Sequence, residues 1–394
     1  MRAPVAVAAA AVAAAIGAAA ALVLVSAIGL GDSTTTVVSE AQAPTSPPAA
    51  TPVRSRPGGA FDPAALYAAR SDGVVTIYAN LGADGEAQGS GFVVDRDGAI
   101  LTNAHVITNV AELEPGSGRV RGAGAVYVEF SDGERVPAKI VGWDLFSDVG
   151  VIRVKPEAHA LAPVPLGESR DVVVGEPVAA IGSPFGKQTS LSVGVVSATG
   201  RSIDSLTSGF TVANAIQVDA PINRGNSGGP LFDGDGRVIG INAQIQSTTG
   251  TAQGVGFAVP IDIARRSLEQ LLRTGRVRYA YIGIRTQDVT PGIAAAFGLG
   301  AERGALVTRV ESGTPADRAG LRGGSRTEAH NGIEVTLGGD LIVAIAGTKV
   351  EHADDVSRIV TALSPGQKVE FTVIRGGRET PVDVTLADRP PVGG

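Results

Sequence analysis

The run Gly225-Asn226-Ser227-Gly228-Gly229-Pro230 sets a hydroxyl among residues that let the backbone fold tightly beside it. A serine hydroxyl is a weak nucleophile at neutral pH and attacks a carbonyl only when an adjacent base takes its proton. Glycines allow main-chain N–H groups to converge where negative charge develops in acyl transfer. Alone, such a run is equally a turn between strands. The nucleophile reading therefore requires a histidine and a carboxylate elsewhere. His105, in Leu101-Thr102-Asn103-Ala104-His105-Val106, follows an apolar strand and its turn and is the candidate base. Asp148 opens the apolar run Val149–Val154, so its side chain projects from a strand end. Asp144, four residues earlier, competes for that role, and Asp219 near Ser227 reads as a turn or loop-anchoring carboxylate.

These residues need a rigid frame. From Val74 onward, short apolar runs recur at close spacing with glycines between them, as in Val74–Tyr78, Gly91–Val94, Ala125–Phe130, Val149–Val154, Val178–Ile181, Ala215–Val218 and Val238–Ile241. Many short strands with turn signals predict an all-β barrel or sandwich and leave no room for βαβ crossovers. The strand region ends near Phe257–Pro260. Ile263, Ser267, Leu268, Leu271 and Leu272 then keep helical spacing, with Gly275 placed to end the helix. A second unit, about Tyr279 to Asp388, combines short strands with helices at Ala316–Leu321 and Ala353–Leu363, which predicts a small α+β module.

At the other end, residues 3–30 carry no charge, and Val5 to Leu30 makes 26 residues, enough to span a bilayer. A membrane anchor is the expectation, with a cleaved signal at Ala41-Gln42-Ala43 as the alternative. Arg2 before the segment and Asp32 and Glu40 after it put the N-terminus in the cytoplasm and the bulk outside it. Residues 31–60, rich in Ser, Thr, Pro and Ala, read as a disordered tether. The net charge of -6 gives no sign of nucleic-acid binding. There is no cysteine, which removes disulfides and thiolate chemistry, and the four histidines (His105, His159, His330, His352) show no clustered metal-ligand spacing.

Taken in order, Thr102-Asn103-Ala104-His105, Asp144-Leu145-Phe146-Ser147-Asp148-Val149, Gly182-Ser183-Pro184-Phe185-Gly186 and Asp219 through Leu231 resemble the HtrA (Deg) family of trypsin-like serine proteases. The resemblance covers about Phe61 to Asp388. It implies a mostly β fold: a chymotrypsin-like double β-barrel at 61–276, then a small α+β PDZ domain at 279–388 and a tail at 389–394, all preceded by the membrane segment. It implies His105, Asp148 and Ser227 as base, orienting carboxylate and nucleophile. The N–H groups of Gly225 and Ser227 form the oxyanion hole, where losing a donor costs about 3 kcal/mol of barrier stabilisation. No metal or organic cofactor is expected.

The family's primary substrate pocket maps to Ile222 and Ile245, which imply a narrow apolar pocket for small aliphatic side chains. The bland reading makes both simply core. In the second unit, Tyr281-Ile282-Gly283-Ile284, Gly313-Thr314-Pro315-Ala316 and Gly338-Gly339-Asp340-Leu341-Ile342 resemble a PDZ domain. Ile282, Gly283 and Ile284 are the carried-over ligand loop for a C-terminal carboxylate. The family further implies unfolded or misfolded protein substrates, peptide control of the loops Arg201–Val212, Ile222–Asn226 and Ala243–Gly254, and a homotrimer with Phe61 and Tyr67 as contacts. The lengthened loop Glu112–Gly124 and an insertion at about Gly323–Thr336 depart from the family pattern. The rival reading is a PDZ-dependent peptide sensor or chaperone with latent proteolysis.

Overall fold

In a computed structural model of the chain, residues 61–113, 119–183, 189–204, 211–223, 225–243 and 255–390 are described. The expected membrane segment and tether, Ile245 and most of the loop Ala243–Gly254 lie outside them.

The chain enters through helix α1 (Pro63–Arg70). Asp62 caps it by accepting the Ala65 N–H at 3.1 Å, and Pro63 stands where the helix has no N–H to lose. Its buried Leu66 faces inward, and the half-buried Tyr67 donates its hydroxyl to the Thr189 carbonyl at 2.7 Å. The first closed barrel runs β1 (Val74–Asn80), β2 (Glu86–Val93), β3 (Ala99–Thr102), β4 (Ala125–Glu129), β5 (Arg135–Asp144) and β6 (Val149–Val154), in spatial order β1-β2-β3-β6-β5-β4. Between β3 and β4 sits the single-turn helix α2 (Ala104–Ile107). The second barrel contains β7 (Pro177–Gly182), β8 (Ser190–Asp204), β9 (Thr211–Val218), β10 (Pro230–Phe232), β11 (Val238–Ala243) and β12 (Gly256–Pro260). It closes in the order β10-β11-β12-β9-β8-β7.

Each barrel has its own apolar interior, and a third cluster fills the seam between them. Phe92, Leu101 and Val151 from the first barrel meet Ile181, Phe232 and Ile241 from the second there. Helix α3 (Ile261–Thr274) lays Ile261, Ala264, Leu268 and Leu271 against this seam. It ends as its spacing predicts, at Gly275 in the left-handed region (φ 71°), where a side chain is disfavoured.

The α+β module follows as β13 (Ala280–Tyr281), β14 (Ile284–Val289), helix α4 (Pro291–Phe297), β15 (Gly304–Val310) and the short helix α5 (Pro315–Arg318). It continues with β16 (Arg326–His330), β17 (Ile333–Leu337), β18 (Leu341–Ile345), β19 (Thr348–Lys349), helix α6 (Ala353–Ala362), β20 (Lys368–Arg375), β21 (Arg378–Thr385) and β22 (Ala387–Asp388). The main sheet runs β14-β15-β18-β20-β21 and leaves β14 at its edge. The insertion is a hairpin: β16 and β17 pair His330 with Ile333 across a two-residue turn, Asn331 (φ 49°) and Gly332 (φ 79°). Two positive φ values match the twist of a tight hairpin, which is why Asn-Gly occupies it.

Candidate active site

His105 is the second residue of α2. The turn leading to it is locked by buried polar groups: Thr102 Oγ1 donates to the Ser90 carbonyl at 2.6 Å and Asn103 Nδ2 to the Asp148 carbonyl at 2.9 Å. Val106 and Ile107 anchor the helix in the barrel interior.

Asp148, rather than Asp144, meets the histidine. β5 and β6 form a hairpin closed by the pair Asp144–Val149, and Asp148 is the last residue of its loop. It is 4% exposed and sits at φ 54°, a left-handed conformation that aspartate tolerates better than most side chains. That conformation turns carbonyl and carboxylate alike toward α2. The carbonyl accepts the Ala104 N–H at 3.2 Å; Oδ1 accepts the His105 backbone N–H at 3.0 Å, and Oδ2 meets His105 Nδ1 at 2.7 Å. An ionised carboxylate only accepts hydrogen bonds, so the proton lies on Nδ1 and Nε2 is left free to act as a base. Burial, the largest influence on His105, disfavours the imidazolium. The charge of Asp148 and its hydrogen bond outweigh it, and the imidazole pKa is raised above 6.5.

Ser227 comes from the second barrel and is 4% exposed. Its carbonyl accepts the Ser90 N–H at 2.8 Å, which ties it to β2 of the first barrel. The approach is close enough to demand glycine at 228. Its φ is 84°, and a methyl there would lie 2.2 Å from the Ser90 carbonyl oxygen and 2.3 Å from Thr102 Oγ1. The candidate nucleophile and base thus share one seam: a methyl at Gly89 would strike both Val106, next to His105, and the Ser227 carbonyl. Among the described residues Ser227 Oγ has no hydrogen-bond partner. Gly225 stands at φ 99°, and its carbonyl accepts Ser90 Oγ at 2.5 Å. Ser90 Oγ in turn accepts the Ser183 N–H at 2.8 Å. Ser90 therefore ties three loops together behind the nucleophile. Sequence reading missed it, although a buried serine interrupting the apolar run Gly89–Val93 is the signal that could have found it.

Ile222 is 8% exposed and packs in the second-barrel core, with Gly256 beside it. Its expected pocket partner Ile245 lies outside the described residues. Asp219 anchors a loop, accepting the Val195 N–H at 2.6 Å. Phe61 and Tyr67 pack against the inter-barrel cluster. In the module, the Ile282 carbonyl accepts the Ala316 N–H at 2.9 Å, and Gly283 turns at φ 80° with its carbonyl on the Glu311 N–H at 2.9 Å. Ile284 then opens β14, whose outer edge pairs with no strand among the described residues and runs beside α6.

Outside these sites, Asp132, Glu134 and His159 gather with ligand atoms within 4.8 Å of one another, a grouping that their sequence spacing does not suggest. His159 there pairs with Asp132 at 3.0 Å and stacks on Phe130 at 3.8 Å.

The trypsin-like peptidase domain family matches residues 89–241, and the PDZ domain family matches residues 280–386. A probable periplasmic serine endoprotease DegP-like from Hahella chejuensis is 39% identical over 307 residues, covering 78% of this chain and 58% of that protein. The chloroplastic Protease Do-like 1 of Arabidopsis thaliana is 38% identical over 308 residues, 77% of this chain and 64% of its own length. The chain thus spans less than two thirds of each of these relatives. Among solved structures, an HtrA-type protease AlgW with tripeptide superposes with a TM-score of 0.69 at 31% identity, covering 84% of this chain and 98% of that one. With both barrels, the module that follows them and the seam geometry in agreement, the chain belongs to the HtrA family of trypsin-like serine proteases with a C-terminal PDZ domain.

Proposed function

We propose that the chain is an ATP-independent serine endopeptidase that cleaves misfolded or signalling proteins outside the cytoplasm and is regulated by peptide binding to its PDZ domain. The observation that carries this reading is the buried His105–Asp148 pair, joined through Nδ1 at 2.7 Å, in the same seam as Ser227. In the reaction Ser227 Oγ bonds to the scissile carbonyl carbon as its proton passes to His105 Nε2. The imidazolium, stabilised by Asp148, then gives that proton to the leaving amine, and water repeats the sequence to release the acyl group. The Gly225 and Ser227 N–H groups stabilise the oxyanion, and Ile222 with Ile245 bounds a small aliphatic subsite. A free peptide carboxylate binds at Ile282–Ile284 and adds a strand to the open edge of β14. Residues 1–30 anchor the chain, residues 31–60 tether it, the protease domain runs 61–276 and the PDZ domain 279–388, and three copies assemble.

The Ser227 hydroxyl, which has no hydrogen-bond partner among the described residues, favours a second reading, in which the chain rests as a peptide sensor or chaperone with latent proteolysis. Casein digestion by the wild type and by Ser227→Ala separates the two. Loss of cleavage in the variant is expected; equal cleavage by both proteins would overturn the protease reading, and client binding retained by the variant would support the second.

A further inference from the structure

The turn that carries Asp148 has a second set of contacts that the reaction does not use. Asp144, at its other end, is 3% exposed, yet its carboxylate accepts four hydrogen bonds. Oδ2 takes the hydroxyls of Ser147 (2.5 Å), Ser267 (2.7 Å) and Tyr279 (2.5 Å), and Oδ1 takes the Phe146 N–H (3.0 Å). These donors belong to the turn itself, to helix α3 and to the segment entering the PDZ domain. A carboxylate this deep is tolerated only when such donors replace its water. Arg389 contributes the nearby positive charge.

Phe146, inside the turn, faces the same root. Its ring meets Tyr279 edge-on at 5.5 Å, and the Arg389 guanidinium lies 4.5 Å above it. Arg389 in turn donates its backbone N–H to the Tyr279 carbonyl at 2.9 Å. Entry and exit of the PDZ domain are clasped here, with β13 paired to β22. Burial and the adjacent Asp144 charge push the Tyr279 phenol well above its ordinary pKa, so it remains a donor. At the far end of the turn Asp148 holds a left-handed conformation, which a residue other than glycine keeps only when its surroundings impose it.

We propose that Asp144 is a positioning residue for the hydrolysis: it pins the turn bearing Asp148 to helix α3 and to the root of the PDZ domain, so that the aim of Asp148 at His105 depends on Tyr279 staying seated. This rests on the serine-protease reading above. Displacing Tyr279 removes one of four donors from a buried charge and loosens one end of the turn from which Asp148 projects.

The test compares the full chain with Asp144→Asn, Tyr279→Phe and Ser227→Ala on a small peptide substrate, reading kcat, KM, the pH profile of kcat/KM and Tm. Asparagine replaces an accepting oxygen with an amide NH2, so hydroxyls that donate to Asp144 must turn round or lose their acceptor, while phenylalanine keeps the ring and removes only the hydroxyl. Both variants are expected to lose about tenfold or more in kcat with KM changed less than about twofold, the pattern of a defect confined to the transition state. The pH midpoint of kcat/KM should also fall toward 6.5, because a loosened Asp148 no longer holds up the imidazole pKa. Unchanged kcat and midpoint, whatever happens to Tm, would overturn the proposal. Should Asp144→Asn fail to fold, Tyr279→Phe decides alone. A wild type no faster than Ser227→Ala would instead overturn the protease reading, and this proposal with it.

Discussion

His105 determines how the site responds to acid. In the proposed mechanism only the neutral imidazole accepts the Ser227 proton, so the rate must rise as pH passes upward through the histidine's pKa. An unperturbed histidine would set that rise between about pH 6 and 7. Because Asp148 holds the pKa above 6.5 in the free protein, the midpoint of kcat/KM against pH should lie above 6.5. A midpoint at or below 6.5, or a flat rate down to pH 4, would remove His105 as the base. Stability runs the other way. A raised folded-state pKa contributes stability below the unfolded value, and that contribution is lost as pH rises through the folded one. Activity should therefore appear over the range in which this term fades. The three candidate catalytic residues could be picked out from local context, since Thr102–His105, Asp148 before an apolar run and the glycines around Ser227 are each contiguous. The residues that hold them could not. Ser90 meets Gly225 from 135 residues away, and Tyr279 meets Asp144 from the same separation. No periodicity encodes such pairs.

Among the elements, the proposed PDZ ligand loop is sensitive to a single methyl group. Gly283 combines φ 80° with a Cβ position 2.3 Å from the Thr314 side chain, so Gly283→Ala must distort the loop that opens β14. Binding of a fluorescent peptide with a free, apolar C-terminus is expected to weaken by about tenfold or more, since backbone N–H groups supply much of such an interaction. Unaltered affinity would show that the loop is not the carboxylate site. Strands were legible where apolar runs were continuous, as in β1, β6 and β11, and helix α3 ended at its predicted glycine. Helices α1 and α4 carried their own signals, Asp62-Pro63 and Thr290-Pro291. They were overlooked because each spans only about two turns, too short for a periodic pattern to stand out. The β16–β17 hairpin was read as an insertion despite its Asn-Gly turn.

On the scale of the whole molecule, the apolar interior is divided. Among the described residues three clusters serve the barrels and their seam, and two serve the PDZ domain. Separate cores predict separable unfolding. Calorimetry of the full chain should give a transition whose van't Hoff enthalpy falls short of the calorimetric enthalpy. A single two-state transition would mean that the contacts around Asp144 and Tyr279 fuse the two domains thermodynamically. The β16–β17 hairpin has a practical consequence. It forms a two-stranded sheet of its own, and Thr327 on it is exposed. Because the chain has no cysteine, Thr327→Cys would introduce a unique thiol. A single dye attached there would report rotation of the PDZ domain from beside β14, whose Gln287 side chain bonds the hairpin at Glu334 and Thr336.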